Sequence, residues 1–169
     1  VLIVGSSDQY GIIRPEDCPV RETLGQRPQS PYAISKLAQE QMALALAKAH
    51  SLDIVLTRSF NHIGVGQRTG FVVPDFAQAI ADIEAGKTPP VLRVGNLEAQ
   101  RDFTDVRDVV RAYRLLAEQG TSGEVYNIGT GEPHPVADIL KQLLALSTAD
   151  IRVEQDPARM RVSDIPVIR

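Results

Sequence analysis

Val1-Leu2-Ile3-Val4-Gly5-Ser6-Ser7-Asp8-Gln9-Tyr10-Gly11 is the stretch from which the fold reads. Its first four residues are wholly apolar and mostly β-branched, the pattern of a strand buried on both faces. The run then opens into hydroxyls and a carboxylate. A buried strand whose carboxyl end turns polar fits the crevice where open parallel sheets take ligands. Read more plainly, Ser6, Ser7 and Asp8 are turn formers that bond their own backbone. Asp53-Ile54-Val55-Leu56-Thr57-Arg58 repeats the pattern and empties into Ser59-Phe60-Asn61-His62-Ile63-Gly64-Val65-Gly66-Gln67, a polar loop bearing glycines. These strands, with a helix between them, predict an α/β fold.

That helix opens at Ser30-Pro31-Tyr32-Ala33-Ile34-Ser35-Lys36 and runs to about His50. Proline suits a first helical position, where its missing N–H is not needed, and Ser30 before it is a natural N-cap. Tyr32 and Lys36 share one face, ~6 Å apart along the axis. An ammonium beside a phenol favours the phenolate and draws a phenol's pKa down from ~10. The pair is thus either a proton donor and acceptor usable near neutrality or two residues of a solvated helix face. Met42 to Ala47 is apolar nearly all the way round, so this part of the helix is expected to be covered on more than one side. A subunit interface would do that; alanines tolerating exposure is the alternative.

At 169 residues the chain is long enough for one compact core, and its length alone leads one to expect one domain. Apolar content of 43% and charged content of 23% are those of an ordinary globular protein. A net charge of −3 offers no field for nucleic acid or an anionic membrane. Cys18 is the one cysteine, so no internal disulfide forms and a reducing, cytoplasmic setting is expected. No apolar run approaches the ~20 residues of a membrane span. No spacing of ligands suggests a metal, and no repeat or low-complexity tract stands out.

Further along, residues 11–29 read as a long loop. Pro74 to Gly86 reads as a helix, Val91-Leu92-Arg93-Val94 as a short strand, and Asp105 or Asp108 opens a helix to about Gly120. Val109, Val110, Tyr113, Leu116 and Ala117 form its expected apolar stripe. Glu124-Val125-Tyr126-Asn127-Ile128-Gly129 is a strand entering a Gly-Thr-Gly turn. Pro135 to Leu146 is a helix and Ile151-Arg152-Val153-Glu154 a last short strand. Two arginine-bearing segments frame this half: Arg101-Asp102-Phe103-Thr104-Asp105-Val106, and Asp156-Pro157-Ala158-Arg159-Met160-Arg161. A guanidinium can bond two phosphate oxygens at once; a surface Arg–Asp pair of little energetic value is the other reading.

Together these motifs resemble the extended short-chain dehydrogenase/reductase family, the NAD-dependent epimerases and dehydratases of nucleotide-activated sugars. The resemblance runs from Gly5 to Asp164. It implies a partial Rossmann-like parallel sheet carrying the catalytic residues in 1–60. Residues 61–169 then form mainly a small α/β substrate-binding region, with some segments returning to the sheet. Carried over, Tyr32 is the acid/base, Lys36 its tuner and Ser6 the donor to the sugar C4 oxygen. Asp8 stands where related 4,6-dehydratases carry the glutamate that takes the C5 proton. Tyr32, Lys36, Ser59 and Asn61 fall at cofactor positions for NADP or NAD. Ser7, Asn61, His62, Val73, Arg101 and either Arg159 or Arg161 fall at substrate positions. His62 is as much a structural histidine as a pocket one. Ser59 and Val65 depart from the family where proline is frequent, which bears on loop stiffness more than on chemistry.

The segments from Phe60 to Gly64, Gly70 to Phe76 and Val94 to Asp105 most resemble the GDP-4-keto-6-deoxymannose reductase branch. It implies NAD(P)H-dependent reduction of the C4 ketone of a GDP-sugar, as in GDP-rhamnose synthesis; the apolar second half of the helix adds the expectation of a homodimer pairing through Pro31–His50. The GDP-mannose 4,6-dehydratases and other epimerase/dehydratases are the alternative. A non-catalytic module that binds nucleotide sugar is the alternative of another class. No Gly-x-Gly-x-x-Gly occurs in the sequence, so the nucleotide-binding half is expected before Val1.

Overall fold

A computed structural model describes residues 1–160 and 167–168. Two compact units make up the chain: one of Val1–Gly64, Asp102–Pro133 and the strand at 167–168, the other of Val65–Arg101 and residues 134–160.

The first unit is built on a parallel sheet of β1 (Leu2–Ser6), β2 (Val55–Ser59) and β6 (Val125–Ile128), in the order β1-β2-β6. All five residues of β2 are buried, as its apolar run predicts. Helix α1 (Pro31–His50) joins β1 to β2, with the Ser30 hydroxyl accepting the Ala33 N–H and Pro31 in its first turn. Ala43 and Ala47 of α1 pack with Leu56, Ile3 and Val125. Side chains alternate along a strand, so Leu56 and Arg58 face α1, whereas Val55 and Ser59 face α3 (Val106–Gln119). Ser59 there meets the Tyr113 hydroxyl at 2.6 Å. Asp105 caps α3 through the Arg107 N–H, and Val109 is buried while Val110 is exposed, against the expected stripe.

Four strands outran the sequence reading. β3 (Asn61–Ile63) pairs in parallel with β5 (Gln100–Asp105), which also pairs with β7 (Pro133–Pro135) and with β9 (Val167–Ile168). Asp102 of β5 is buried and gathers the Gly-Thr-Gly turn, accepting from the Thr130 N–H and hydroxyl and from the Gly131 N–H at 2.7–3.0 Å.

In the second unit, β4 (Val91–Val94) and β8 (Arg152–Gln155) pair in parallel, and α2 (Val72–Glu84) packs on α4 (Val136–Leu146). Phe76, Ile80 and Ile83 are the buried face of α2. This helix starts two residues before the expected Pro74, which sits in the first turn where no N–H is needed. No helix among the described residues is long and apolar enough to cross a membrane.

Candidate active site

Ser6 and Ser59 are register partners at the carboxyl edge of β1 and β2. After Ser6 the chain turns into a short 3-10 helix, Ser7–Tyr10, capped reciprocally. The Ser6 Oγ accepts the Asp8 N–H at 3.2 Å, and the Gln9 Oε1 accepts the Ser6 N–H at 2.8 Å. Ser7 is buried and Asp8 exposed. Gly5 is required for close approach: a Cβ there would lie 2.4 Å from the Thr57 carbonyl oxygen and 2.5 Å from Gln9 Oε1. Gly11 ends the turn at φ 73°, a conformation glycine adopts without strain.

Helix α1 brings its first two turns to this edge. The Lys36 Nζ donates to the Val4 carbonyl at 2.9 Å and to Gln39 Oε1 at 3.2 Å, fastening α1 to β1. Tyr32, one turn earlier, is 53% exposed. The structure therefore seats Lys36 against β1, with Ser6 two residues along the strand, and leaves the Tyr32 ring open to solvent.

One turn beyond Lys36 lies a residue the sequence reading passed over. Glu40 is 3% exposed, and both its oxygens are filled. Oε1 accepts from Arg58 Nη2 at 2.7 Å and Gln26 Nε2 at 3.1 Å; Oε2 accepts from Arg58 Nε at 3.0 Å and Gln9 Nε2 at 2.8 Å. The Arg58 Nη1 goes on to the Tyr10 hydroxyl and the Glu22 carbonyl, both at 3.0 Å, and its guanidinium stacks 5.0 Å from the Tyr10 ring centre. Tyr10 donates to Asn127 Oδ1 at 2.7 Å, and Asn127 returns to the loop at Val20 and Glu22. Burial alone would raise the Glu40 pKa, but the bonds from Arg58 and Gln9 outweigh it and hold it below the ordinary carboxylate range. Burial likewise opposes the Arg58 charge, and Glu40 and Tyr10 more than restore it. The Tyr10 phenol is pushed up by burial, with Arg58 pulling the other way. An arginine inside an otherwise apolar strand was the available signal, since such a charge needs a buried partner.

The remaining predicted residues are spread along the fold. Asn61 and His62 are exposed on β3, with the His62 Nδ1 3.2 Å from the Phe60 carbonyl oxygen. Val73 lies in the first turn of α2, Arg101 on β5 and Arg159 at the end of a 3-10 turn, Pro157–Arg159; all three belong to the second unit. Arg159 pairs with Asp156 at 3.7 Å. Arg161 lies outside the described residues. Among those described, no three His, Cys, Asp or Glu side chains come together as a metal site.

The family model for GDP-mannose 4,6 dehydratase matches residues 1–165. The chain belongs to that family. It is 37% identical to the GDP-6-deoxy-D-mannose reductase of Pseudomonas aeruginosa over 95% of this chain and 53% of the relative. With the human GDP-mannose 4,6 dehydratase it shares 30% identity over 81% of this chain and 36% of that one. The solved structure of RMD from Pseudomonas aeruginosa complexed with NADPH superposes with a TM-score of 0.93 and 34% identity, covering 99% of this chain and 56% of that one. Family membership and the Rossmann-like α/β class both stand. The chain spans about half the length of these relatives.

Proposed function

We propose that the full-length protein is an NAD(P)H-dependent oxidoreductase that reduces the C4 ketone of a GDP-4-keto-6-deoxyhexose. The observation that carries this reading is the 37% identity to the Pseudomonas aeruginosa reductase across nearly the whole chain.

The Ser6 Oγ spends a lone pair on the Asp8 N–H, which leaves its own proton to donate to the C4 oxygen. Tyr32 delivers its phenolic proton to the same oxygen. The Lys36 ammonium steadies the phenolate left behind. After Val4 and Gln39 it still has one N–H to offer a ligand hydroxyl. With that spare donor and an open phenol at the carboxyl edge of a parallel sheet, the residues fit the nicotinamide-ribose end of NADP or NAD. Tyr32, Lys36, Ser59 and Asn61 would hold it. When bound, the cofactor supplies the hydride that C4 receives, and hydride plus proton complete the alcohol. On the substrate side, Arg101 and either Arg159 or Arg161 take the diphosphate, while Ser7, Asn61, His62 and Val73 line the sugar nucleotide.

A dehydratase is the second reading, favoured by the human relative and by the carboxylate of Asp8 after Ser6. An Asp8 base would take the C5 proton, though an aspartate is one methylene shorter than the family's glutamate. The protein is proposed to be cytoplasmic, and to pair as a homodimer through α1. Ile34, Ala38, Met42 and Leu46 form a stripe on this helix that the chain itself leaves exposed.

The deciding experiment incubates full-length protein with NADPH and GDP-4-keto-6-deoxymannose. The expected result is NADPH oxidation that falls at least ~100-fold in Tyr32→Phe, the scale of a lost general acid. Undiminished turnover in that variant would overturn the role of Tyr32. In a parallel incubation with GDP-mannose, formation of the keto sugar would move the protein to the dehydratases.

A further inference from the structure

We propose that Gln9 and Glu40 are positioning residues, a buried relay that fixes the Ser6 hydroxyl against the helix face carrying Tyr32 and Lys36. Gln9 is fully buried and its amide is spoken for at both ends. Its Oε1 takes the Ser6 N–H at 2.8 Å and its Nε2 gives to Glu40 Oε2 at 2.8 Å. The amide's orientation is forced, since only the nitrogen can donate to a carboxylate and only the oxygen can accept from an N–H.

Glu40 lies one turn beyond Lys36 on α1. The helix is thus tied to the β1 end twice in succession: Lys36 to the Val4 carbonyl, and Glu40 through Gln9 to the backbone of Ser6. Arg58 holds the far side of Glu40 with two bonds and reaches the 11–29 loop through Glu22; Gln26 of that loop reaches Glu40 directly. The same Gln9 backbone carbonyl accepts the Arg27 N–H at 3.0 Å. Strand end, helix and loop therefore move together or not at all.

The consequence rests on the reading above, that Ser6 and Tyr32 address one carbonyl oxygen. A proton donor and a hydrogen-bond donor on different elements act together only if their separation is held, and ~1 Å of misplacement costs ~100-fold in rate. Neither Gln9 nor Glu40 is assigned a contact with substrate. Their loss is therefore expected in kcat and not in KM.

The test uses the full-length protein with three changes: Gln9→Met, which keeps length and volume but removes both amide bonds; Gln9→Glu; and the exchange Gln9→Glu with Glu40→Gln. Gln9→Met is expected to lower kcat ~10- to 100-fold with KM within about threefold. Gln9→Glu faces one buried carboxylate with another and is expected to do worse. The exchange restores one carboxylate, one amide and one guanidinium, but sets the new amide N–H at position 40 against the Arg58 Nε–H, so it is expected to recover part of what Gln9→Glu loses. A kcat in Gln9→Met within twofold of the parent, or an exchange variant no better than Gln9→Glu alone, overturns the proposal.

Hydrogen exchange at the Ser6 amide gives a readout that needs no substrate. In Gln9→Met it is expected to speed up far more than at Leu56, whose N–H bonds the Glu124 carbonyl inside the sheet. Equal acceleration at both amides is general loosening and also overturns the proposal. Should the parent protein reduce no keto sugar, the reading of the reaction fails, while the exchange rates still decide the relay.

Discussion

Helices α1 and α3 press on opposite faces of one strand, β2, and they are built the opposite way round. In α3 the order is the familiar one: Val109 goes in, and Arg107, Arg111 and Arg114 stay in water. In α1 a glutamate goes in at 3% exposure while Met42 stands 66% exposed. Each helix also has an arginine–carboxylate pair at 2.7 Å, Arg58–Glu40 on the α1 side and Arg107–Asp105 at the start of α3. Equal distance does not make them equal in consequence. The Glu40 pair is sealed between strand, helix and loop with every carboxylate lone pair directed at a donor. The Asp105 pair lies at the surface, where water and salt take its place at little cost. Beside Ala33 and Ala43, which also go in, α1 thus holds a paired charge on its inner side and leaves an apolar stripe exposed on the other.

Removing each carboxylate breaks the comparison most forcefully. Glu40→Ala leaves the buried Arg58 without its counter-charge, and losses of ~3–5 kcal/mol follow from stripping one partner of such a pair. Asp105→Ala removes a helix cap and an exposed pair, and its loss is expected to be a small fraction of that. Urea unfolding of the two variants beside the parent measures both. Similar midpoints for the two would mean that burial is not what separates these pairs.

The outward side of α1 is tested separately. Met42→Lys with Leu46→Lys places charge on the exposed stripe without touching a buried residue. The particle mass of the full-length protein by light scattering is expected to halve, with its unfolding midpoint per chain little changed. A mass that stays the same would remove α1 as a pairing face.

What the sequence disclosed follows the reach of each interaction. The bounds of α1 were legible to the residue because Ser30 and Pro31 act within one turn. The strand at Val91–Val94 was legible because its apolar run is self-contained. β3 and β7 were not: three residues each, one containing two prolines, they are strands only because β5 lies between them. Tyr32 and Lys36 could be named as candidates because they lie one helical turn apart, whereas Ser6, far from both in sequence, came from the resemblance and not from spacing. Gln9 and Glu40 could not, for they meet across 31 positions of sequence and Glu40 meets Arg58 across 18. In a helix read alone a glutamate at 40 belongs to the solvent. Met42 to Ala47 was expected to be covered on more than one side, and within this chain one side is covered; what the other side meets is the question the lysine variants ask.

Acid separates the two pairs most gently. Glu40 has a folded pKa held below its ordinary 4.5, so in the window beneath that value the unfolded chain binds the extra proton and stability rises with pH. Its contribution is fully present above 4.5 and drains away as pH falls through the depressed folded value. Asp105 is lowered from 3.8 to about 2 by the side-chain and backbone hydrogen bonds of Arg107, which places its window between those two values with the same sign. Glu40→Gln is therefore expected to flatten the acid limb of a stability–pH curve from 4.5 downward. Asp105→Asn, which keeps an N-cap oxygen, is expected to alter it only below 3.8. Added salt should erase the Asp105 difference, because the pair is exposed to the ions that screen it, and leave the Glu40 difference standing, because Glu40 is not. If salt removed both equally, the seal around Glu40 would have to be open to solvent, and the contrast between the two helices would rest on their sequences alone.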